Sequence, residues 1–163
     1  LKYVPKFFHT LNAAFKHLYG YSQLTDKQIK YYTDAYFSFV RPELICFLLD
    51  EKEDVVGFGV TMPSLSKAFQ KAKGKIFPFG FIHILKALKK YDTVDLYFNG
   101  VHPDWQNKGI HSLYYVALNE QYKKYGVEYA ISTGQLETNI NAVGIWDNYN
   151  KEPYIRTRCY IKD

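Results

Sequence analysis

The residue types and spacing best suited to chemistry lie in Val101-His102-Pro103-Asp104-Trp105-Gln106-Asn107-Lys108-Gly109-Ile110-His111. A strand-like run, Thr93 to Val101, enters this stretch and a helix-like run, His111 to Tyr125, leaves it. A short polar loop with one glycine, set between strand and helix, aims backbone N–H groups at the positive end of the helix. Such a loop is a seat for phosphate or pyrophosphate; an ordinary polar turn is the competing reading. Trp105 has two readings as well, a stacking platform for an adenine or a packing residue. Asn139 opens a further helical run, where an asparagine caps exposed amides. No two of the 5 histidines have metal-ligand spacing, so no metal is expected.

The elements that position this loop can be read in order. Pro5 introduces a helix with Phe7, Phe8, Leu11, Ala14, Phe15 and Leu18 on one face, closed by Gly20. Thr25 and Gln28 have capping-box spacing, and Ile29, Tyr32, Tyr36 and Val40 form the stripe of a second helix ended by Arg41-Pro42. Glu43 to Leu49 and Val55 to Met62 read as an antiparallel hairpin across a short charged turn. Both faces of the first strand are apolar, which predicts a sheet with helices on each side. Gly57 and Gly59 predict a bulge or a close backbone approach.

Pro63 to Lys90 reads as a helical insertion, with Ser64 capping its first helix and Gly74 ending it. Its Phe77-Pro78-Phe79-Gly80-Phe81 run is so apolar that it is expected to be buried or to wall a pocket. The basic amphipathic helix after it is expected to act as a lid or packing element rather than as a membrane contact. Val127 to Thr133, Asn139 to Asn150 and Tyr154 to Ile161 then predict a strand, a short helix and a closing strand. The order α-α-β-β-(α-α)-β-α-β-α-β predicts an α+β domain with a mixed sheet flanked by helices, spanning residues 1–163 as a single domain.

Composition narrows the function classes. Of 163 residues, 18% are aromatic, including 16 Tyr, so many tyrosines must sit at the core boundary with the hydroxyl in water. No apolar run approaches the ~20 residues of a membrane span. Cys46 and Cys159 lie far apart in apolar runs and read as free thiols of a reducing compartment, which points to the cytoplasm. A net charge of +5 suits an anionic ligand. With no aromatic RNA-binding motif and no tight arginine cluster, nucleic acid stands well behind. Beginning at Leu1 rather than Met, the chain is expected to be part of a longer protein.

The element order, the spacing Val101-x-Pro103-x-x-Gln106-x-x-Gly109-x-His111 and the run Glu137-Thr138-Asn139-x-x-Ala142 together resemble the GCN5-related N-acetyltransferases, the GNAT superfamily. The runs PELICFLLDE, VGFGVTMPSLSKAFQKAKGK, FPFGFIHILKALKK and CYIKD resemble a group of uncharacterised bacterial GNAT-like proteins more closely. In that group the chain looks like the C-terminal half of a tandem pair, which implies an N-terminal GNAT-like partner domain. The resemblance implies acetyl-CoA as cofactor and a small-molecule or peptide amine as acceptor. Gly100 and Val101 would pair with the pantetheine arm, where the central strand splays from its parallel neighbour. The amides of Gln106, Asn107, Lys108, Gly109, Ile110 and His111 would hold the pyrophosphate, Lys108 adding a charge and Gly109 leaving room for close approach. Asn139 would contact the cofactor, a role compatible with capping.

Catalysis by resemblance needs a base for the amine and an acid for the leaving thiolate. Asp95 is the best-placed base, with Glu137 and His102 as rivals. The acid, a tyrosine in the family, falls at Trp146 here, and Tyr149 is the nearest substitute. The family's small residue at the end of the loop motif is His111, which either points outward and assists a phosphate or crowds the approach. An inactive GNAT-fold domain for acyl-CoA binding or assembly is therefore a second expectation. Aminoacyl transfer from charged tRNA is a third, resting on fold analogy alone.

Overall fold

Helix α1 (Val4–Phe15) has proline in its first turn, where the missing N–H costs nothing, and buries Val4, Phe7, Phe8 and Leu11. Its helix-period stripe meets a strand-period stripe. Phe7 stands edge-on to Phe58 at 5.0 Å and stacks on Phe47 at 5.3 Å, while Phe15 reaches Phe58 from the helix end. Lys2 to Glu53 at 2.6 Å and Lys6 to Asp54 at 2.8 Å tie the start of α1 to the turn between the first two strands. Helix α2 (Asp26–Tyr36) begins at the predicted capping box: Gln28 Oε1 accepts from the Thr25 amide at 3.0 Å and the Gln28 amide donates back to Thr25 Oγ1. Ile29 of its stripe is fully buried, against the α1 core.

The computed structural model describes residues 2–36, 40–153, 155–158 and 160. They fall into two compact units, Leu1–Ile131 and Ser132–Asp163. In the first unit a four-stranded sheet has the order β1-β2-β3-β4. Strand β1 (Ile45–Leu49) follows a 3-10 turn over Pro42–Leu44, where a strand was expected from Glu43, because Pro42 fixes the turn and Arg41 pairs with Glu43 at 3.2 Å. β1 pairs antiparallel with β2 (Val55–Pro63), and β2 pairs antiparallel with β3 (Thr93–Val101). Helix α5 (His111–Tyr125) ends on Gly126 at φ 71° and leads into β4 (Tyr129–Ser132). The Glu128 and Tyr129 amides both donate to Asp92 O, so β3 and β4 start side by side and run parallel. The sheet is mixed, with α1 on one face and α5 on the other, as the doubly apolar β1 predicts.

Gly59 is where α5 comes closest. A Cβ there would stand 2.8 Å from Leu118 Cδ1 and 2.9 Å from Tyr114 Cδ2. Gly59→Val is expected to destabilise the fold by about 2–3 kcal/mol through overpacking. Thermal unfolding followed by circular dichroism should show Tm lower by roughly 5–10 °C.

The insertion departs from expectation in two ways. Ser64 does not cap α3 (Ser66–Lys71), whose N-cap is Leu65 with no side-chain bond; the Ser64 amide is drawn instead to Thr93 O, 2.9 Å away across the sheet. The apolar loop before α4 (Gly80–Lys89) is neither buried nor the wall of a pocket: Phe77 is 80% and Phe79 71% exposed. The α3–α4 hairpin closes over Ala68 and Gly80, too small a core to take in the three phenylalanines of this run as well.

The second unit holds α6 (Ile140–Gly144) followed by a 3-10 turn, Ile145–Asn148, in place of one longer helix. Of the predicted closing strand, residues 154, 159 and 161 lie outside the described residues; 155–158 and 160 belong to no helix or strand. Cys46 is a free, half-buried thiol whose pKa burial pushes up, and Cys159 lies outside the described residues.

Candidate active site

The loop between β3 and α5 is built by two left-handed residues. After Val101 pairs with Gly57, the His102 amide still reaches Val56 O at 2.8 Å, and Pro103–Trp105 forms a 3-10 turn capped by His102 Nδ1, which accepts from the Asp104 amide at 3.4 Å. The side chain of Gln106 folds back, Nε2 donating to Val101 O at 3.0 Å. Asn107 at φ 60° and Gly109 at φ 71° then turn the chain twice. Asparagine tolerates that region and glycine favours it, which is the local reason these two types occupy these positions.

Alternating the sign of φ points successive amides into one concavity, an anion nest. Among the described residues, the Gly109, Ile110 and His111 amides have no protein acceptor, whereas the Ser112 and Leu113 amides turn back to Gly109 O and Ile110 O. Nothing lies within 4 Å of where a Gly109 Cβ would sit, so the space in front of the loop is open. Lys108 Nζ rests 4.9 Å from the centre of the Trp105 ring, so the two residues partner each other beside the nest. His111 is the first residue of α5 and half-buried.

Below the loop, β3 outruns its neighbour β4. Strand β4 is 4 residues long and starts level with Asp92, so it ends before residues 97–101 of β3. Tyr97 and Phe98 are correspondingly 44% and 42% exposed. Gly100 lies in this half: it pairs with Phe58, and a Cβ there would stand 2.8 Å from Phe58 Cζ.

The position of Asp95 depends on a β-bulge. Val60 pairs with Phe98 and Thr61 with Leu96, which leaves Tyr97 as the extra residue. Without the bulge, Asp95 would share a face with Asn99, whose Nδ2 donates to the hydroxyl of Tyr115 on α5 at 2.9 Å. With it, Asp95 pairs with Met62 and takes the opposite face, that of Val60, Phe58 and α1. Burial raises the Asp95 pKa above the ordinary carboxylate value, and a Ser64 hydroxyl hydrogen bond partly offsets this. Burial also raises the Tyr97 phenol, with the Asp95 charge adding to it.

His102, a rival base, sits at the other end. Seven residues of strand separate it from Asp95, roughly 20 Å. It lines a cavity of about 380 Å³ with Lys6, His9 and Asp54. In the second unit the Asn139 side chain accepts from the Ala142 amide at 3.3 Å, the predicted cap. Trp146 Nε1 donates to Gln135 Oε1 at 3.2 Å and its ring stands edge-on to Tyr149, 44% exposed, at 5.8 Å. Glu137 is exposed. The structure thus gathers Gly100, Val101 and residues 106–111 around one strand end with Asp95 lower on the same strand, while Asn139 and Tyr149 belong to the second unit. Sequence reasoning missed Ser64 and the bulge at Tyr97; a single unpaired residue leaves no mark on a strand of alternating types.

The fold as a whole agrees with that of solved acetyltransferases. A bound structure of AAC(6')-Iy with the bisubstrate analogue CoA-S-monomethyl-acetylneamine matches at TM-score 0.58 and 12% identity, covering 99% of this chain and 92% of that one. This chain has the GNAT fold. Other GNAT-fold neighbours include the glucosamine-6-phosphate N-acetyltransferase of Arabidopsis thaliana, at TM-score 0.56 and 13% identity over 98% of this chain and 94% of that one. An aminoglycoside acetyltransferase from an uncultured soil metagenomic sample, solved with trehalose, matches at 0.57 and 14% over 98% and 90%. No family model matches the sequence. Protein YghO of Escherichia coli (strain K12) is 24% identical over 157 residues, 93% of this chain; the chain spans 40% of that relative's length.

Proposed function

We propose that the chain is an acetyl-CoA-dependent N-acetyltransferase-like domain that moves an acetyl group to an amine by direct attack. The observation that carries this reading is the left-handed loop at the start of α5, with the Gly109, Ile110 and His111 amides lacking a protein acceptor among the described residues and open space in front of Gly109. Those donors fit a pyrophosphate. The GNAT-fold neighbour solved with a CoA bisubstrate analogue supports the same ligand class.

When bound, acetyl-CoA supplies an activated thioester carbonyl. The amides of Gly109, Ile110 and His111 would hold its pyrophosphate, and Gly100 and Val101 would pair with the amides of its pantetheine arm. The acceptor arrives on the α1 face as an ammonium, and Asp95, directly or through water, takes its proton. The amine nitrogen would bond to the carbonyl carbon as the carbon–sulfur bond breaks, the departing thiolate taking up a proton from water. Asn139 caps α6. In this reading the chain acts alongside a further GNAT-like domain of a longer polypeptide.

Isothermal titration with acetyl-CoA tests the proposal. A saturable heat with one site is expected, weakening as salt is added because the contact is electrostatic. No heat at millimolar acetyl-CoA would overturn it. Saturable binding with no thiol release across a broad amine panel would instead favour an acyl-CoA-binding domain without chemistry, the reading that Trp146 at the acid position supports.

A further inference from the structure

The α3–α4 hairpin presents an apolar surface that nothing in its unit covers. Phe77 and Phe79 project from its tip, Phe77 and Phe81 have ring centres 6.4 Å apart, and Leu85, one turn along α4, is 52% exposed. Ile84 and Leu88 take the inward positions and are half-buried. A contiguous patch of this kind on a soluble face marks a docking surface.

Its charge says what docks there. Between Pro63 and Lys90 the sequence holds seven lysines and no acidic residue, all seven exposed, whereas the whole chain has a net charge of only +5. Lys67 alone among them is ion-paired, to Asp92 at 3.3 Å, among the described residues. Aromatic rings at a tip with unpaired lysines behind them match the two layers of an anionic bilayer interface: rings enter the acyl boundary and ammonium groups meet lipid phosphates. A second copy would set seven lysines against seven, which disfavours self-pairing. No helix among the described residues is long and apolar enough to cross a membrane, so the contact is peripheral.

We propose that the α3–α4 hairpin docks the protein on anionic lipid surfaces, its Phe77–Phe81 tip inserted and its lysines on the headgroups. Gly80 fixes the tip: a Cβ there would stand 1.8 Å from Lys75 O, backbone that cannot yield. Because Ser64, at the base of the hairpin, is hydrogen-bonded to Asp95, docking also brings the α1 face of β3 near the lipid surface.

Co-sedimentation of the chain with phosphatidylcholine vesicles containing a quarter phosphatidylglycerol, read without acetyl-CoA, tests this apart from the acyl-transfer reading. Binding to these vesicles and not to pure phosphatidylcholine is expected. F77S/F79S, at positions too exposed to unfold the protein, should lose at least tenfold in partition. K86E/K89E/K90E should lose about a hundredfold, following roughly fivefold per surface basic residue. Equal partition of wild type and both variants would overturn the proposal. So would a vesicle-independent dimer, or a complex with an acidic protein, that F77S/F79S dissolves while lipid partition stays unchanged.

Discussion

Replacing Gly109 by aspartate is expected to leave the fold standing and to weaken acetyl-CoA binding at least a hundredfold. Two observations separate these effects. Gly109 has φ 71°, a region aspartate adopts at modest cost, and no atom lies within 4 Å of the position its Cβ would take. The folding penalty is therefore about 1 kcal/mol, a Tm shift of roughly 2–4 °C. The new carboxylate, however, stands in front of the amides of 109–111, where a pyrophosphate would sit. Like charges about 4 Å apart at a partly screened surface repel by several kcal/mol, and a hundredfold loss is about 2.7 kcal/mol. Titration calorimetry checks the affinity and a thermal melt the fold. Gly109→Asn is the control, keeping the left-handed turn without the charge, and should bind within about tenfold of wild type. Equal loss in both variants would mean that loop conformation rather than anion binding was damaged.

The Asp95→Asn variant should lose about 10²- to 10⁴-fold in kcat with little change in acetyl-CoA affinity, the range expected for removing a general base. Its test is the pH profile. Asp95 has a pKa above the ordinary carboxylate value because burial disfavours its charge. A base works deprotonated, so wild-type kcat/KM should rise with pH along a limb displaced upward from the usual aspartate range. Ser64→Ala removes a hydrogen bond to the charged form and should move that limb higher still. The stability effect has the opposite sign to a paired carboxylate: with its folded pKa raised, Asp95 favours the folded state least once pH exceeds that pKa. Asp95→Asn should therefore be no less stable than wild type at neutral pH, in thermal melts at pH 5 and 8. An inactive variant that also melts early would assign Asp95 a structural role.

How far the fold was legible depended on how local its signals are. The capping box at Thr25 and Gln28, the αL stop at Gly126, β3 over Thr93–Val101 and the start of α5 at His111 are set by neighbours a few residues away, and all appear as read. The Ser64 cap failed because the Ser64 hydroxyl bonds to Asp95 of the neighbouring strand rather than to a local amide. The Phe77–Phe81 loop is expected to be buried or to wall a pocket because apolar residues usually are covered, but burial is a property of what surrounds a segment, which the segment does not contain.

The candidate site divides along the same line. By itself the sequence determined the order strand, polar loop, helix and placed Asn107 and Gly109 where a chain can turn left-handed, because those are short-range preferences of residue types. Only the tertiary structure decided that the space in front of Gly109 stays open, since that depends on which distant groups come near. It alone put Asp95 on the α1 face, because one extra residue at Tyr97 reverses every side chain before it. Periodicity within one strand cannot reveal that reversal; it exists only in the register with β2.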